Sequence, residues 1–502
     1  MWDLTERAGF TGPEAAHWAG LADLSVVARD GGLWLYAASA ATGGYRSFAL
    51  AEDRAAVMQG TVTIDTADAP AGASFRISDV VQVTLDGQQR LIAAALDSGI
   101  LDCQTLRAQG GMARSSPLQA SAANSGVAAM TSLVIGDHTF LALASRDSGQ
   151  LRLYQLGSGW RLTETALAVD GPKSTLAGVS DLLTVEQGGR HFLIAASTTQ
   201  DGLSVFLAGA DGSLSQTDMI GTRDGLWVAG LDGLASLEVG GTCFLIGASI
   251  RTSSLSVLRL NDLGVLFVTD EVIDDGATRI GHVAAMATFA QAGRGFLLAG
   301  GDDGGLSLFE MLPDGTLHLA RSYELAADWT TGPVAGLAVA QLGDEVQVFY
   351  SSATAPGLSQ LVLSLAGLAP MRRGSKGADR LEGGGGQDLL FGAAGDDTLI
   401  GGGGDDVLVG GPGRNWLSGG AGADEFVLTA AAGQQSVIRD FQHGRDRINL
   451  DDWGRLYDLS ALTVQPRSYG AEILWQDQSL RIETDNRQSL TAADWTAADF
   501  LF

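Results

Sequence analysis

The chain has little of what disulfide-linked, zinc-bound or polyanion-binding proteins need. Its 502 residues include two cysteines, Cys103 and Cys243, and no Cys-x-x-Cys pair or Cys/His cluster with the spacing of a zinc site. We expect both cysteines to be buried apolar residues. Lys and Arg total 31 against 58 Asp and Glu, a formal net charge of −27. This charge excludes a nucleic-acid binder.

Long apolar runs and an N-terminal signal peptide are also missing. The longest apolar runs are short, such as residues 91–96, whereas a membrane-spanning helix needs about 18 or more apolar residues. Residues 1–7 have neither the basic segment nor the apolar core of a signal peptide. We therefore expect no membrane span and no export through an N-terminal signal.

Familiar catalytic motifs are absent as well. None of the six histidines belongs to a His-Glu-x-x-His motif, which excludes the zinc metalloproteases that use it. No Gly-x-Ser-x-Gly elbow occurs, because the nearest match, residues 202–206, ends in Phe. The sequence thus identifies no catalytic residue and no organic cofactor site. Whether the protein is an enzyme stays open.

Glycine, in contrast, is abundant: 69 residues, about twice the usual share. Apolar residues make up 45% of the chain and charged residues 18%, which is enough apolar material for a core. A high glycine content, together with enough apolar residues for a core, indicates a folded protein with many tight turns.

The first 365 residues contain a block that recurs every 50 to 56 residues. Its copies end at Ser39, Ala95, Ser145, Ser197, Ser249, Gly301 and Ser351. Each copy contains an apolar strand, a Phe-Leu-Ile-Ala-Ala-like strand, a Leu-Ser-Val-Phe-like strand and usually a fourth strand after Asp-Gly. Four strands in about 52 residues predict one propeller blade.

Seven copies predict a seven-bladed β-propeller over residues 1–370. A β-sandwich array and a β-solenoid are the alternatives, although a sandwich domain is usually longer and a solenoid coil shorter. Blade seven has no obvious fourth strand before Leu365, and residues 2–10 precede blade one. We expect the N-terminus to close the ring.

These repeats resemble seven-bladed propellers of the lactonase-like group. The resemblance lies in a strand ending in Val-Phe or Leu-Phe that runs into an Asp-Gly-(Ser/Thr)-Leu turn, as at residues 205–214 and 308–317. It implies the fold, and a lactonase-type hydrolase as one possible activity. No active-site motif of that group matches numbered positions here.

A strict nonapeptide, Gly-Gly-x-Gly-x-Asp-x-Leu-x, fills residues 374–427 with six copies and no gap. Position eight holds Leu381, Leu390, Leu399, Leu408, Leu417 and Phe426. Position six holds Asp379, Asp388, Asp397, Asp406, Asn415 and Asp424. A flexible glycine-rich linker would not keep an apolar residue at every eighth position, so we interpret position eight as core and position six as metal ligand.

The nonapeptides closely resemble the calcium-binding repeats of RTX proteins, which form a parallel β-roll. The resemblance implies a roll over residues 371–430, with two repeats per 18-residue coil. Side chains 18 residues apart would then stack about 4.8 Å from each other. Carboxylates this close repel, and several Ca²⁺ ions with backbone carbonyls as further ligands would remove the repulsion. Because Asn415 is neutral, we expect the ion between Asp397 and Asn415 to bind most weakly.

The remaining residues resemble the C-terminal part of serralysin-type secreted proteins. Residues 437–441 and 444–450 match the segment that follows the repeats there, and residues 499–502, Asp-Phe-Leu-Phe, look like a type I secretion signal. The resemblance implies a C-terminal β cap and secretion signal over residues 431–502. It also implies the type I secretion machinery as a partner and a secreted or cell-surface location in a Gram-negative bacterium.

Together these features predict a secreted calcium-binding protein whose C-terminal region folds on calcium after export. Its propeller would bind an extracellular partner, namely a glycan, a matrix polymer or a protein. The alternative functions are a secreted propeller hydrolase such as a lactonase, and an effector or toxin. Loop aspartates Asp147, Asp201 and Asp303 are weak ligand candidates, and we interpret His138 and His191 as packing or surface residues.

Overall fold

The computed structural model describes residues 2–11, 18–40, 43–63, 77–96, 100–115, 117–119, 126–325, 332–430, 435–454, 456 and 459–501. Apart from short 3-10 turns, their regular structure is β-strand. Within these ranges no helix has the length and hydropathy to cross a membrane. Contacts divide the chain into two units, one of Trp2–Ala290 and Gly295–Ser364 and the other mainly of Leu365–Phe502. The boundaries at residues 370 and 430 stay predictions.

The first unit is a seven-bladed β-propeller, as predicted. Its strands are β1 (Leu4–Phe10), β2 (Leu21–Arg29), β3 (Gly32–Ser39), β4 (Gly44–Leu50), β5 (Val57–Thr63), β6 (Ile77–Leu85), β7 (Gln88–Ala95), β8 (Ile100–Leu106), β9 (Met112–Arg114), β10 (Leu118–Gln119), β11 (Val127–Ile135), β12 (His138–Ser145), β13 (Gln150–Gly157), β14 (Arg161–Val169), β15 (Val179–Gln187), β16 (Arg190–Ser197), β17 (Gly202–Ala208), β18 (Leu214–Gly221), β19 (Gly233–Val239), β20 (Thr242–Ser249), β21 (Ser254–Leu260), β22 (Leu266–Ile273), β23 (Ala285–Gln291), β24 (Arg294–Gly300), β25 (Gly305–Met311), β26 (Leu317–Glu324), β27 (Val334–Leu342), β28 (Glu345–Ser352) and β29 (Leu358–Ser364). Blades one to six are successive antiparallel sheets, and in blade two the outer strand is split into β9 and β10.

The N-terminal strand closes the ring, as the sequence suggested. Blade seven has the order β1-β29-β28-β27, with Leu4 opposite Leu363 and Phe10 opposite Leu358. The guanidinium of Arg7 lies 2.5 Å from Glu345 Oε1 on β28. Because β1 completes the sheet begun by the last three strands of the propeller, the first and last parts of its sequence are held in one sheet.

The second strand of each blade is packed on both faces. In β16, the residues from Phe192 to Ser197 are all buried, and Leu193 and Ala195 share a core cluster with Phe140 and Ala142 of the preceding blade. Small residues let neighbouring sheets approach closely. The alternation of bulky and small residues in the repeat therefore sets the packing between blades.

Three aspartates at the start of the inner strands connect adjacent blades. Asp23 Oδ2 accepts a hydrogen bond from the Val80 amide at 2.8 Å, Asp79 Oδ2 from Met130 at 2.7 Å, and Asp181 Oδ2 from Leu234 at 2.7 Å. Each aspartate follows a bulged residue near the beginning of its strand. The bulge turns the carboxylate towards the next blade.

These aspartates border a cavity of about 450 Å³ that is lined by the inner strands of six blades and also by Asp232. Burial raises the pKa of Asp23 and of Asp181 to about 6 from the usual 3.8. The pKa of Asp79 rises well above 3.8 because of burial and the charges of Asp23 and Asp181. This cavity, the channel cavity, therefore concentrates carboxyl groups that are costly to ionise.

The second unit is a parallel β-roll that continues beyond the nonapeptides. Its strands are β30 (Arg372–Arg373), β31 (Arg380–Glu382), β32 (Leu389–Phe391), β33 (Thr398–Gly403), β34 (Val407–Val409), β35 (Trp416–Ala421), β36 (Glu425–Val427), β37 (Gln435–Phe441), β38 (Arg447–Asn449), β39 (Thr463–Arg467), β40 (Gly470–Trp475), β41 (Gln478–Thr484) and β42 (Phe500–Leu501). They form two sheets, β30-β32-β34-β36-β38-β42 and β31-β33-β35-β37-β41-β40-β39. The repeats thus supply alternate strands to the two faces of the roll.

The register confirms the 18-residue coil. Leu381 pairs with Leu399, and Leu390 with Leu408, in parallel strands. Position-eight residues from copy two onward are fully buried in one core cluster, which also contains Ile438. Past the nonapeptides the coil lengthens to 22 residues, which is the spacing at which β38 pairs with β36.

We predict that the inner-strand aspartates make the propeller less stable at high pH. Asp23 and Asp181, whose folded-state pKa is about 6, add stability that is complete below about pH 4 and lost as the pH rises through about 6. Asp79→Asn keeps an acceptor for the Met130 amide without the charge. It should raise the melting temperature at pH 8 by about 2 °C or more and reduce the difference between pH 5 and pH 8.

The measurement is calorimetry of the intact protein at fixed calcium, with hydrogen exchange of β6 and β11 to assign the transition to the propeller. Asp86→Asn, in the exposed β6–β7 turn of the same blade, is the matched control and should change neither value. An Asp79→Asn protein that is destabilised equally at both pH values would contradict the prediction.

Candidate functional site

The position-six side chains form two ladders along the roll. Ladder one is Asp379, Asp397 and Asn415; ladder two is Asp388, Asp406 and Asp424. In ladder one, Asp397 Oδ1 accepts the Asp379 amide at 2.8 Å, and Asn415 Oδ1 accepts the Asp397 amide at 2.9 Å. In ladder two, Asp406 Oδ1 accepts the Asp388 amide at 2.8 Å, and Asp424 Oδ1 the Asp406 amide at 3.0 Å. The turns therefore stack these side chains every 18 residues, as predicted.

Each inner carboxylate uses one oxygen in its ladder and leaves the other without a hydrogen bond. Asp397, Asp406 and Asp424 are at most 1% exposed, and their Oδ2 atoms have no hydrogen-bond partner. A buried polar atom without a partner costs about 1–3 kcal/mol, more when it is charged. Three such atoms in equivalent positions fit a bound cation.

Burial raises the pKa values of these carboxyl groups. The pKa of Asp406 rises to about 7 and that of Asp424 to about 6, through burial first and neighbouring carboxylates second. The pKa of Asp397 is also raised by burial. Asp379, at the open end of ladder one, differs, because hydrogen bonds from the amide and hydroxyl of Ser375 lower its pKa.

The glycines keep the space beside these carboxylates open to oxygen atoms. A Cβ added to Gly401 would lie 2.3 Å from Asp406 Oδ2 and 2.7 Å from the Gly419 carbonyl oxygen. A Cβ on Gly404, whose φ is +105°, would lie 2.2 Å from the Gly386 oxygen. Each turn is thus a cradle of carbonyl and carboxylate oxygens, the donor set that Ca²⁺ prefers.

Side chains alone do not make a metal site. Among the described residues, no group of three or more His, Cys, Asp and Glu side chains is arranged to hold a metal ion. Each ion in the roll would therefore need backbone carbonyls in addition to two ladder carboxylates. This requirement explains why glycines accompany every position-six residue.

Asn415 differs from its neighbours in chemistry as well as charge. Its Nδ2 donates to the Gly411 carbonyl oxygen at 2.8 Å, so an amide nitrogen stands where Asp397, Asp406 and Asp424 have an unpartnered carboxylate oxygen. The arrangement agrees with weak cation binding at this step of ladder one.

Sequence reasoning missed Asp446, which lies beyond the nonapeptides. Its Oδ1 accepts the Asp424 amide at 3.1 Å and its Oδ2 accepts the Gln442 amide at 2.7 Å. The signal was available in residues 444–448, Gly-Arg-Asp-Arg-Ile, which keep the spacing of Gly, Asp and apolar residue found in the repeats. Asp446 extends ladder two to four side chains, whereas ladder one has three.

The loop aspartates proposed as ligands do not line the channel cavity. Asp201 Oδ1 accepts the Gly230 amide at 2.6 Å, Asp303 Oδ2 accepts the Gly281 amide at 3.2 Å, and Asp147 is exposed beside Arg146. Asp201 and Asp303 thus hold loops in place. The channel aspartates were missed, although Asp-Leu or Asp-Val recurs at the start of three inner strands.

The histidines occupy two different places. His191 pairs with Glu186 near the β15–β16 turn, at the opposite end of this strand pair from Val179 and Ser197, and His138 begins the equivalent strand β12. His282 precedes the cavity-lining Ala284 by two residues. Its Nδ1 lies 2.9 Å from Asp302 Oδ2, and its φ is +47°.

An exposed tryptophan projects from the loop that leads to the channel. Trp227 is 70% exposed, although Leu226 and Val228 on either side are buried. The same loop continues through Asp232, which lines the cavity. Two buried neighbours therefore anchor the loop while the indole ring faces solvent.

Several solved structures are similar to the chain. A protein from Lactobacillus plantarum has a TM-score of 0.46 at 15% identity, covering 61% of this chain and 85% of its own. A putative 6-phosphogluconolactonase from Bacteroides uniformis has 0.45 at 16%, covering 62% and 86%. Another from Bacteroides fragilis has 0.44 at 13%, covering 66% and 94%. Among curated proteins, none matches the sequence.

A family model matches the roll. Residues 373–399 and 400–430 match the RTX calcium-binding nonapeptide repeat. The matched residues contain both ladders with their unpartnered carboxylate oxygens. This segment of the chain is therefore an RTX calcium-binding repeat region.

Proposed function

We propose that the protein is a secreted calcium-binding RTX protein whose roll folds on calcium after export and whose propeller binds an extracellular partner. The calcium-binding part of this proposal rests on the buried Oδ2 atoms of Asp397, Asp406 and Asp424, which have no hydrogen-bond partner. These atoms occur at the same position of RTX repeats, next to the turn glycines.

The ligands in this proposal are the six position-six side chains and the carbonyls of the turns. The side chains are Asp379, Asp388, Asp397, Asp406, Asn415 and Asp424. Bound calcium neutralises carboxylates that are otherwise costly to ionise. Zinc sites favour nitrogen and sulfur ligands, and magnesium demands a tighter octahedron, so neither suits a stack of glycine turns.

Calcium-dependent folding follows from the burial of these charges. Without a cation, folding must bury carboxylates whose pKa values lie near 6 to 7, so ionised side chains oppose it at neutral pH. An ion present at 100 times its dissociation constant adds about 2.7 kcal/mol. A low-calcium cytosol would keep the region unfolded and fit for export, and a calcium-rich medium would fold it.

The proposed secretion signal agrees with this order of events. In the folded roll, Asp499 and Phe500 are buried and β42 pairs with β38; Phe502 lies outside the described residues. Asp499 and Phe500 are then accessible only in the unfolded chain. RTX repeats, which are typical of type I secretion substrates, support export by that route.

We expect the roll of the intact protein to fold only with calcium. Hydrogen exchange of residues 374–427 should be fast in chelator and slow in millimolar calcium, while the propeller strands stay protected in both. Asp406→Ala should raise the calcium midpoint about tenfold, the equivalent of ~1.4 kcal/mol. Asp477→Ala, in an exposed turn, is the control. Equal protection of the roll in chelator and in calcium would falsify the proposal.

We also expect Asn415→Asp to tighten binding at the weak step of ladder one. The substitution replaces the Nδ2 atom that donates to Gly411 with a carboxylate oxygen, and more negative ligands raise calcium affinity. The calcium concentration at half-saturation, measured by titration calorimetry, should fall about threefold or more. Asn486→Asp, on an exposed turn, controls for the added charge. An unchanged midpoint would mean that Asn415 is not a ligand position.

For the propeller, we propose a hydroxyl-rich partner such as a glycan. Asp23, Asp79 and Asp181 line the channel cavity with carboxyl groups that hydrogen-bond to hydroxyls. The exposed Trp227 presents a large flat surface, and tryptophan is frequent among residues that dominate binding.

Trp227→Ala should therefore release the protein from its partner. The measurement is calcium-dependent retention of the intact protein on cells and isolated capsule, which we expect to fall about tenfold or more. Trp416→Ala, an exposed tryptophan of the roll, is the matched control. Loss of retention by both variants alike would locate binding outside this face.

A lactonase-type hydrolase is the second candidate, and the His282–Asp302 pair favours it. A histidine paired with a carboxylate at 2.9 Å is an arrangement that general bases use, and His282 is two residues from Ala284, which lines the cavity. Hydrolysis of a lactone panel by the intact protein, abolished by His282→Gln, would support this candidate. Hydrolysis that survives in that variant would count against this site.

A further inference from the structure

An equivalent backbone amide lies near the start of the inner strand of each blade. In blades two, three and five this amide donates to the aspartate of the preceding blade, as Val80 donates to Asp23. In blade four the Leu182 amide donates to Asp181 Oδ1 of its own strand at 2.7 Å. Carboxylates therefore accept four of the seven amides.

The remaining three amides belong to neighbouring blades, and no aspartate stands opposite them. In each preceding blade the position of the aspartate is held by glycine or alanine, whose side chains cannot accept a hydrogen bond. The amides are those of Met286, Leu337 and Leu24, and the small residues opposite them are Gly233, Ala285 and Gly336, in that order. One side of the channel therefore presents donors without carboxylates.

The strand register indicates where these amides point. Leu24 and Leu337 follow the bulge of their strands at the same step as Val80. Because the Val80 amide donates to Asp23 and not to the second strand of its own blade, the equivalent amides also point away from their second strands. Met286 holds the same position in β23. All three donors therefore face the channel.

The channel cavity lies beside these three amides. Its lining includes Leu24, Met286 and Leu337 together with the small residues opposite them. A Cβ added to Gly233 would meet only Cε of Met286, at 3.6 Å. The volume of about 450 Å³ is within the range of roughly 300–1,000 Å³ that small-molecule sites have. Where the carboxylates are missing, the channel thus has both donors and room for a ligand.

Carboxyl groups line the other side of the same cavity. They belong to Asp23, Asp79, Asp181 and Asp232, and no Lys, Arg or His is among the described residues of the lining. An anionic ligand would be repelled, and no group of described side chains is arranged to hold a metal ion. A hydroxyl group both accepts and donates. A ligand with several hydroxyls can therefore use the amides on one side and the carboxyl groups on the other.

We propose that the channel cavity binds one terminal sugar unit of the glycan partner, whose hydroxyl oxygens accept the amides of Leu24, Met286 and Leu337. Hydroxyls on the other side of the ring donate to the carboxyl groups. Because strands of six blades surround the cavity, the end of a glycan chain can enter it, whereas the middle of a chain cannot. The inference rests on the proposed glycan function of the propeller and assigns recognition to chain ends.

The first test asks whether free monosaccharides bind the intact, calcium-loaded protein. Glucose, galactose, mannose and N-acetylglucosamine are each added in large excess, and hydrogen exchange of β2, β23 and β27 is measured. At least one sugar should slow exchange about threefold or more, as expected once its concentration reaches about twice the dissociation constant. No slowing by any of the four sugars overturns the inference.

Gly233→Asp supplies the carboxylate that blade five lacks. Its side chain should accept the Met286 amide, as Asp181 accepts Leu234, and the affinity for the sugar should fall about tenfold because a donor is lost. Gly157→Asp is the matched control, since a Cβ there would meet only the Arg161 carbonyl oxygen, at 3.8 Å, and the site lies outside the cavity lining. Undiminished binding by a folded Gly233→Asp protein overturns the inference.

Retention on cells and capsule separates this inference from the proposed function. A protein that is retained, and is released by Trp227→Ala, but shows no sugar-dependent slowing of exchange overturns the terminal-sugar site and leaves the proposed partner binding standing. No retention of the unaltered protein overturns the proposed partner binding itself. The monosaccharide measurement needs no variant, so it tests the inference even where Gly233→Asp does not fold.

Discussion

The stacking of buried carboxylates every 18 residues is the constraint on which the roll depends. Each coil is held by short parallel strands and one apolar residue per nonapeptide, and each coil also buries a carboxylate beside the carboxylate of the next. The apolar contacts favour the stack, whereas the ionised side chains oppose it. What neutralises the ladders therefore decides whether this unit of the molecule folds.

The propeller also buries aspartates, but it satisfies them differently. Asp23, Asp79 and Asp181 each accept a backbone amide of the next blade, so the same residue type serves as a link between sheets. The groups are spread around a channel and not stacked along a line. Their cost appears as raised pKa values, not as unpartnered oxygen atoms. The propeller is thus expected to fold without a cation and the roll to require one.

The periodic parts of both units could be predicted from sequence, and the aperiodic parts could not. The seven blocks and six nonapeptides fix strand order and register because each copy repeats its apolar positions. Asp446 was missed because a coil of 22 residues shifts it out of the nine-residue count, although the local Gly-x-Asp-x-Ile pattern survives. Loop aspartates such as Asp201 were weak candidates, because propeller channels often bind ligands through loop carboxylates, yet a hydrogen bond to the neighbouring loop occupies Asp201. The channel aspartates were overlooked because a bulge, which sequence does not reveal, turns them towards the next blade.

The two units also differ in how far apart their contacting residues lie along the chain. From β30 to β38 the roll pairs residues 18 to 22 apart, so each of these coils can add to the previous one once its carboxylates are neutralised. The propeller closes only when Leu4 meets Leu363, which requires ordering nearly the whole unit first. Closing long loops costs more entropy and slows folding. Calcium entry should therefore order the roll early, while ring closure remains the slow step of the propeller.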